Sequence, residues 1–379
     1  MKYLTNRNLI KEVNEHKIIN LLVEHQELTK NDISRMLNIS IPTVTTNISK
    51  FKEINLVEEL ESNIYTGGRK PKIIKFNQNA KLSIGVSIYS DKINFIVLNL
   101  LKEVKYTNQI ELKDAFFDEI MLSVKDEVDS MLKSLHIKSD TVLGIGISVP
   151  GVINEKINKL EHTNMDISDI SLDKYNDIMP YDIYYDNEAN LSLLGEKAYA
   201  REVSENSYIY LSINEGLGGG IIINDTIYKG NLGRAGEFGH LIISNDDKSL
   251  ETYVSSKNII NSFNNKSDNK INSMKEFEVY IENKNIIALE IMKDVIDILC
   301  RGLYNLILIF DPGMILIGGE LSFILKKYDN EIKECIKSKN TLKYMPELKL
   351  KYSEISKPEL LGAALVPLFK FLTLDLSDI

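Results

Sequence analysis

Three stretches of the chain stand out, two for carboxylates, amides and an imidazole and one for its glycines. Asp186-Asn187-Glu188-Ala189-Asn190 sets two carboxylates and two amides just before an apolar run. Gly216-Leu217-Gly218-Gly219-Gly220 is a glycine turn between apolar segments, and Gly230-Asn231-Leu232-Gly233-Arg234-Ala235-Gly236-Glu237-Phe238-Gly239-His240 carries an acid and an imidazole among glycines. A hydroxyl both donates and accepts, so carboxylates and amides hold it well. A site built that way rejects analogues that lack the hydroxyl. Taken singly, each stretch also fits a purely structural role. A glycine-rich hairpin more often shapes a turn than binds phosphate, and a lone histidine is more often a satisfied polar residue.

The elements around these stretches alternate strand and helix. Leu82–Ile88 and Ile93–Leu100 read as strands, Asp118–Leu135 as a helix, and Val142–Val149 as a buried strand. Asp182–Tyr185 is a short strand running into a helix over Glu188–Ala200, which places the polar cluster at a strand end and a helix start. Tyr208–Ile213 and Gly219–Ile223 flank the glycine turn. A long helix over Ile286–Phe310 must stop before Pro312, and Met314–Ile317 follows as a buried strand. This mixture predicts an α/β body, and its two strand-glycine-strand units suggest two lobes with a cleft.

Ahead of that body, residues 14–60 have a different pattern. Ile18, Ile19, Leu22 and Val23 form one apolar face of a first helix. Thr29 and Asp32 resemble a capping box opening a second, with Ile33, Met36 and Leu37 as its core face. Asn38-Ile39-Ser40 makes a tight turn, with Ser40 as N-cap and Pro42 in the first turn of a third helix. Val44, Ile48 and Phe51 face inward, leaving Thr43, Thr45, Thr46, Asn47 and Lys50 outward to meet base edges and phosphates in a major groove. A hairpin follows, from Leu56–Leu60 to Pro71–Phe76. Its tip, Thr66-Gly67-Gly68-Arg69-Lys70, supplies Arg69 and Lys70, with Lys72 just beyond, and Arg69 is suited to a minor groove. The competing reading is a small helical interaction domain with an exposed loop.

Charge permits this arrangement without demanding it. The 379 residues carry a formal net charge of -9. Residues 1–80 hold 12 Lys and Arg against 9 Asp and Glu, or +3, leaving -12 for the remainder. Phosphate binding needs local positive charge only. The N-terminus lacks the apolar stretch of a signal peptide, and no apolar run reaches the roughly 18 residues of a membrane span, so a cytoplasmic protein without membrane contact is expected. Cys300 and Cys335 lie far apart in expected helices and read as reduced thiols.

Together and in this order the motifs resemble the ROK family of repressors and sugar kinases, over nearly the whole chain. Val149-Pro150-Gly151, the Asn187-Glu188-Ala189-Asn190 helix start, Ala235-Gly236-Glu237-Phe238-Gly239-His240, Met314–Glu320 and Leu361-Gly362-Ala363-Ala364 carry the likeness. The helix-turn-helix belongs to the repressor branch. The resemblance implies an α/β protein with an N-terminal winged helix-turn-helix (residues 1–78) and a two-lobed, actin-like sugar-kinase-like body that binds sugar and dimerises (residues 79–379). It also implies a sugar site made of Asn164, Asn187, Glu188, Glu237, His240 and Glu251, lined by Pro150 and Gly151.

Departures from the family pattern are as informative. Kinases of the family open the body with a strand ending Asp-x-Gly-Gly-Thr beside the nucleotide phosphates. Here the stretch is Ser87-Ile88-Tyr89-Ser90-Asp91, and the second phosphate turn has Asn214-Glu215 where Gly-Thr is usual. The kinases' catalytic base is Asp. Here it is Glu188, whose extra methylene moves the carboxylate by about 1.5 Å, and misplacement of about 1 Å can cost about 100-fold in rate. Three cysteines that hold a structural zinc in the family are missing after His240, so neither metal nor cofactor is expected. Glu188, the missing cysteines and the Gly67-Gly68-Arg69-Lys70-Pro71 wing resemble the xylose repressors of Gram-positive bacteria. The expectation is a non-enzymatic homodimeric repressor that binds operator DNA and is released by xylose or a related sugar, with glucose or an N-acetylated hexosamine behind it. The alternatives are an active kinase with a DNA-binding head, and a DNA-binding protein whose body only dimerises.

Overall fold

The computed structural model describes residues 6–61, 72–112, 115–154, 156–163, 168–200, 205–243, 247–339 and 349–372. They fall into two compact units. The first comprises Met1–Val149, Asp173–Tyr185 and Ala363–Ile379, and the second Pro150–Leu172 and Asp186–Gly362.

The first unit begins with helices α1 (Asn6–His25), α2 (Lys30–Leu37) and α3 (Ile41–Glu53) and a three-stranded sheet of β1 (Glu27–Thr29), β2 (Val57–Glu61) and β3 (Lys72–Phe76) in the order β1-β3-β2. The capping box is present: Asp32 N–H donates to Thr29 Oγ1 at 3.1 Å, and Thr29 N–H to Asp32 Oδ2 at 3.2 Å. Ser40 caps α3 by accepting from Thr43 N–H at 3.3 Å. Ile18, Leu22, Ile33, Val44, Ile48 and Phe51 close the small core. Met36, expected in it, is 46% exposed. The eight-residue α2 turns off at left-handed Asn38 and commits only Ile33 fully inward.

After the turn at residues 77–81 comes the sheet of β4 (Leu82–Ile88), β5 (Lys92–Asn99), β6 (Val104–Glu111) and β7 (Val142–Val149), with α4 (Phe117–Ser134) between β6 and β7. β4 and β5 pair antiparallel, and β7 returns parallel to β4. β4 is buried along its whole length, as a central strand covered on both faces should be.

In the second unit, β8 (Gly151–Asn154), β9 (Lys159–Thr163) and β10 (Ser168–Ser171) make a small antiparallel sheet. Strand β11 (Ile183–Asn187), at the edge of the first unit's sheet, runs directly into α5 (Glu188–Tyr199). A second five-stranded sheet contains β12 (Tyr208–Ile213), β13 (Leu217–Ile223) and β14 (Thr226–Ile227). Helices α6 (Leu250–Val254), α7 (Ser256–Lys266), α8 (Met274–Glu282) and α9 (Ile286–Phe310) then lead to β15 (Met314–Gly318), which returns parallel to β12. Helices α10 (Ser322–Lys327) and α11 (Asp329–Lys339), β16 (Lys349–Tyr352) and α12 (Pro358–Leu372) complete the chain's described elements. Each large sheet thus repeats one plan, a hairpin followed by a helical crossover to a parallel strand. Ile291, Val295, Leu299, Leu303 and Leu306 of α9 bury at helical spacing against the second sheet's core, each worth about 1.5–3 kcal/mol.

Residue type sets the seat of α5. A Cβ on Gly362 would stand 1.8 Å from the Leu191 carbonyl oxygen. Only a bare backbone lets α12 approach α5 so closely, and this fixes the helix whose first residue is Glu188.

Candidate ligand site and nucleic-acid interface

The second unit gathers the polar stretches around the β12–β13 turn. At the start of α5, Asn187 acts as N-cap, accepting from Asn190 N–H at 2.7 Å. Asp186 organises the same corner: its Oδ1 accepts from Asn187 N–H at 2.8 Å and Asn190 Nδ2 at 2.9 Å, and its Oδ2 faces Lys229 Nζ at 2.7 Å. Half-buried Glu188 accepts at Oε1 from Asn214 Nδ2 at 2.7 Å and Ser212 Oγ at 3.3 Å. Burial pushes its carboxyl up to about 7, with the charges of Glu359 and Glu215 adding to the rise and the bonds from Asn214 and Ser212 opposing it. A carboxyl poised there can accept from a hydroxyl when ionised and donate to one when protonated.

On the far side of the turn, Leu217 N–H donates to Glu251 Oε2 at 2.8 Å. Glu237 Oε2 lies 4.0 Å from Nε2 of exposed His240. Burial raises the Glu237 carboxyl above its ordinary range, the Glu251 charge raises it further, and His240 and Arg234 hold it back. The glycines let these backbones meet. A Cβ on Gly236, whose φ is +95°, would come within 2.4 Å of the Gly219 carbonyl oxygen. The small sheet is tied to the same segment, because Glu161 of β9 pairs with Arg234 and Lys156 Nζ donates to Asn231 Oδ1 at 2.8 Å. Half-buried Pro150 and Gly151 enter that sheet, where Gly151 faces Thr163 in register. Asn164 lies outside the described residues. So Glu237, His240 and Glu251 form one cluster, Asn187 and Glu188 another, and both rest on residues 212–217. Among the described residues, no group of three or more His, Cys, Asp or Glu is placed to hold a metal ion, and no helix is long and apolar enough to cross a membrane.

In the first unit, Thr46 is exposed and Thr43, Thr45 and Lys50 are half-buried on α3. Asn47 corrects the sequence reading. It is 3% exposed and donates Nδ2 to the Thr43 carbonyl at 3.0 Å. It follows Val44 by three residues, so helical geometry puts it on the buried face despite its amide. Lys50 is not a free cation either, since Glu15 of α1 pairs with it. Lys72 meets Glu59 at 3.6 Å, and Glu59 also holds Lys30 at 3.0 Å and Lys52 at 3.3 Å. The hydrogen bond from Lys30 and the other two cations hold the Glu59 carboxyl below its usual range. Arg69 and Lys70 lie outside the described residues.

The ROK family model matches residues 83–366. The chain belongs to the ROK family. A winged helix-turn-helix DNA-binding model matches residues 4–58 ahead of the ROK body. The xylose repressor of Caldicellulosiruptor bescii is 25% identical over 378 residues, covering 92% of this chain and 94% of that protein. The xylose repressor of Staphylococcus xylosus is 29% identical over 346 residues, covering 86% and 87%. Among solved structures, a ROK family transcriptional regulator, a homologue of the E. coli MLC protein, superposes with a TM-score of 0.78 at 19% identity over 96% of both chains. A ROK glucokinase from Streptomyces griseus, solved with glucose and AMPPNP, gives 0.63 at 21% identity over 75% of this chain and 98% of its own. These likenesses show the fold: a winged helix-turn-helix followed by a sugar-kinase-like body.

In the ROK body, the first turn is closed by a backbone hydrogen bond and a cation–π contact. Tyr89 N–H donates to the Lys92 carbonyl at 2.9 Å, and Lys92 Nζ sits 5.5 Å from the centre of the Tyr89 ring. In the second turn Glu215 brings a charge evident from the sequence, whereas the role of Asn214 is not: its Oδ1 also accepts from Glu320 N–H at 2.9 Å. Ser212 likewise carries no signal in the sequence, because it acts through its neighbour Glu188.

Proposed function

We propose that this ROK protein is a sugar-responsive transcriptional repressor, with residues 1–78 binding operator DNA and residues 79–379 binding the sugar and forming the homodimer. The observation that carries this reading is the winged helix-turn-helix joined to a ROK body in one chain, aligned almost end to end with proteins named as xylose repressors. Xylose is therefore the first-choice effector, with glucose behind it. Pro150, Gly151, Asn164, Asn187, Glu188, Glu237, His240 and Glu251 form the sugar site. Thr43, Thr45, Thr46, Arg69, Lys70 and, once released from their acidic partners, Lys50 and Lys72 serve the DNA.

The body does not phosphorylate its ligand. Support comes from Tyr89 and Asp91 in the first turn, where Lys92 sits over the Tyr89 ring, from Asn214-Glu215 in the second and from Glu188 in place of an aspartate. One helix-turn-helix makes few contacts, so two heads bind a two-fold operator. Sugar weakens that complex by as much as its affinity differs between the free and DNA-bound conformations.

The test is a titration of xylose, then other pentoses and hexoses, into the protein–operator complex. Operator affinity should fall as xylose saturates. Unchanged affinity with every sugar would leave the body as a dimerisation scaffold, and ATP-dependent turnover of about 1 per second would return the kinase reading.

A further inference from the structure

Asn214 links three segments around the sugar-site candidates. It bonds Glu188 through Nδ2 and the Glu320 N–H through Oδ1. Its backbone adds Asn214 N–H to the Gly216 carbonyl at 2.9 Å and Ser256 N–H to its own carbonyl at 2.8 Å. One residue at the end of β12 thereby ties the first residue of α5 to the turn after β15 and to the start of α7. With Ser212 it occupies Oε1 of Glu188, while Oε2 takes no hydrogen bond among the described residues.

We propose that Asn214 is the positioning residue of the effector site, holding the Glu188 carboxyl by one oxygen so that the other meets a sugar hydroxyl. This rests on the sugar-binding reading above. The groups facing Glu188 are Ser212 and Tyr210 from β12, Asn214 and Glu215 from the β12–β13 turn, and Glu359 from α12. Both acids disfavour its charge, while Asn214 and Ser212 favour it. Removing the Asn214 donor therefore makes Glu188 harder to ionise. The same bond ties ligand contact at Glu188 to the Gly319-Glu320 turn, which Asn214 also holds.

The test uses the full chain labelled with [13Cδ]glutamate and Glu188→Gln to assign the resonance. Asn214→Asp is the decisive variant. It keeps an oxygen for the Glu320 N–H but offers Glu188 no amide donor and adds a charge. Asn214→Ala removes its bonds to Glu188, Ser212 and Glu320, and Ser212→Ala removes the longer contact to Glu188 together with the bond that Asn214 Nδ2 donates to Ser212 Oγ at 3.1 Å. In the apoprotein the Glu188 titration should move to higher pH in Asn214→Asp and Asn214→Ala, and less in Ser212→Ala. By calorimetry, xylose affinity should fall roughly tenfold or more in Asn214→Asp, as expected when a charge-assisted bond is lost. A Glu188 titration unmoved by Asn214→Asp, in a protein that still binds xylose, would overturn the positioning role alone. A moved titration with wild-type xylose affinity would overturn it too. A wild-type chain that binds no sugar while Glu188 still responds to Asn214→Asp would bring down the sugar-binding reading, and the effector role with it.

Discussion

Asn20 of α1 donates its side-chain amide to the backbone carbonyl of Leu372, the last residue of α12, at 3.2 Å. Nδ1 of His16, one turn earlier in α1, lies 3.3 Å from the same oxygen. The final carbonyls of a helix have no partner within it, so the DNA-binding head supplies one to the end of the ROK body's last helix. Replacing both His16 and Asn20 by Ala should cost about 0.5–1.5 kcal/mol. Hydrogen exchange over residues 6–25 should quicken while the β4–β7 sheet is unaffected. Uniform exchange across the first unit would show that this contact does not fasten α1.

Glu59 bridges three lysines of the head, and its neutral replacement should release them. Glu59→Gln should tighten binding to random-sequence DNA and steepen its salt dependence, by roughly 0.9 in log–log slope for each new phosphate contact. Fluorescence anisotropy at several salt concentrations reads this. A slope equal to that of the wild type would mean that Lys30, Lys52 and Lys72 point away from bound DNA.

Glu196 is 1% exposed and accepts a hydrogen bond from Ser353. Burial raises its carboxyl to about 7. The folded chain then holds a proton that the unfolded chain releases near 4.5. Stability from this group is full below about pH 4.5, declines as pH rises toward 7, and levels off above. The loss approaches about 3 kcal/mol. Thermal melts of Glu196→Gln should show a shallower decline between pH 5 and 7.5 than the wild type. Parallel pH profiles would refute the assignment.

Gly362→Ala should be severely destabilising, because the new methyl group overlaps the Leu191 carbonyl and backbone must yield. A cost of about 1–3 kcal/mol is expected for such overpacking. Any folded fraction should respond poorly to sugar, since Leu191 belongs to the first turn of the helix that Glu188 opens. A denaturant melt and the operator titration check both halves of this claim.

Local interactions were readable from the chain alone. Thr29 and Asp32 are three residues apart and close a capping box whatever surrounds them, and Ser40 with Pro42 starts α3 in the same way. Helices expected over 118–135, 188–200 and 286–310 and strands over 82–88, 93–100, 142–149 and 208–213 lie within two residues of those observed, because apolar period reports the buried face. The ordered motifs of the second unit marked the family, and they contain Asn187, Glu188, Glu237 and His240 of the two candidate clusters.

Tertiary structure decided which polar groups are available. Glu15 claims Lys50 from 35 residues away, Asn214 reaches Glu188 across 26 residues and Glu320 across 106, and no period in the sequence encodes those meetings. The amide of Asn47 suggests an outward position, but its spacing from Val44 puts it inside. Residue type indicates what a side chain can bond, and spacing indicates which face it takes. Only the packing of distant elements determines which partner arrives first, and with it whether Lys50 is free for phosphate or Glu188 has one oxygen left for a hydroxyl.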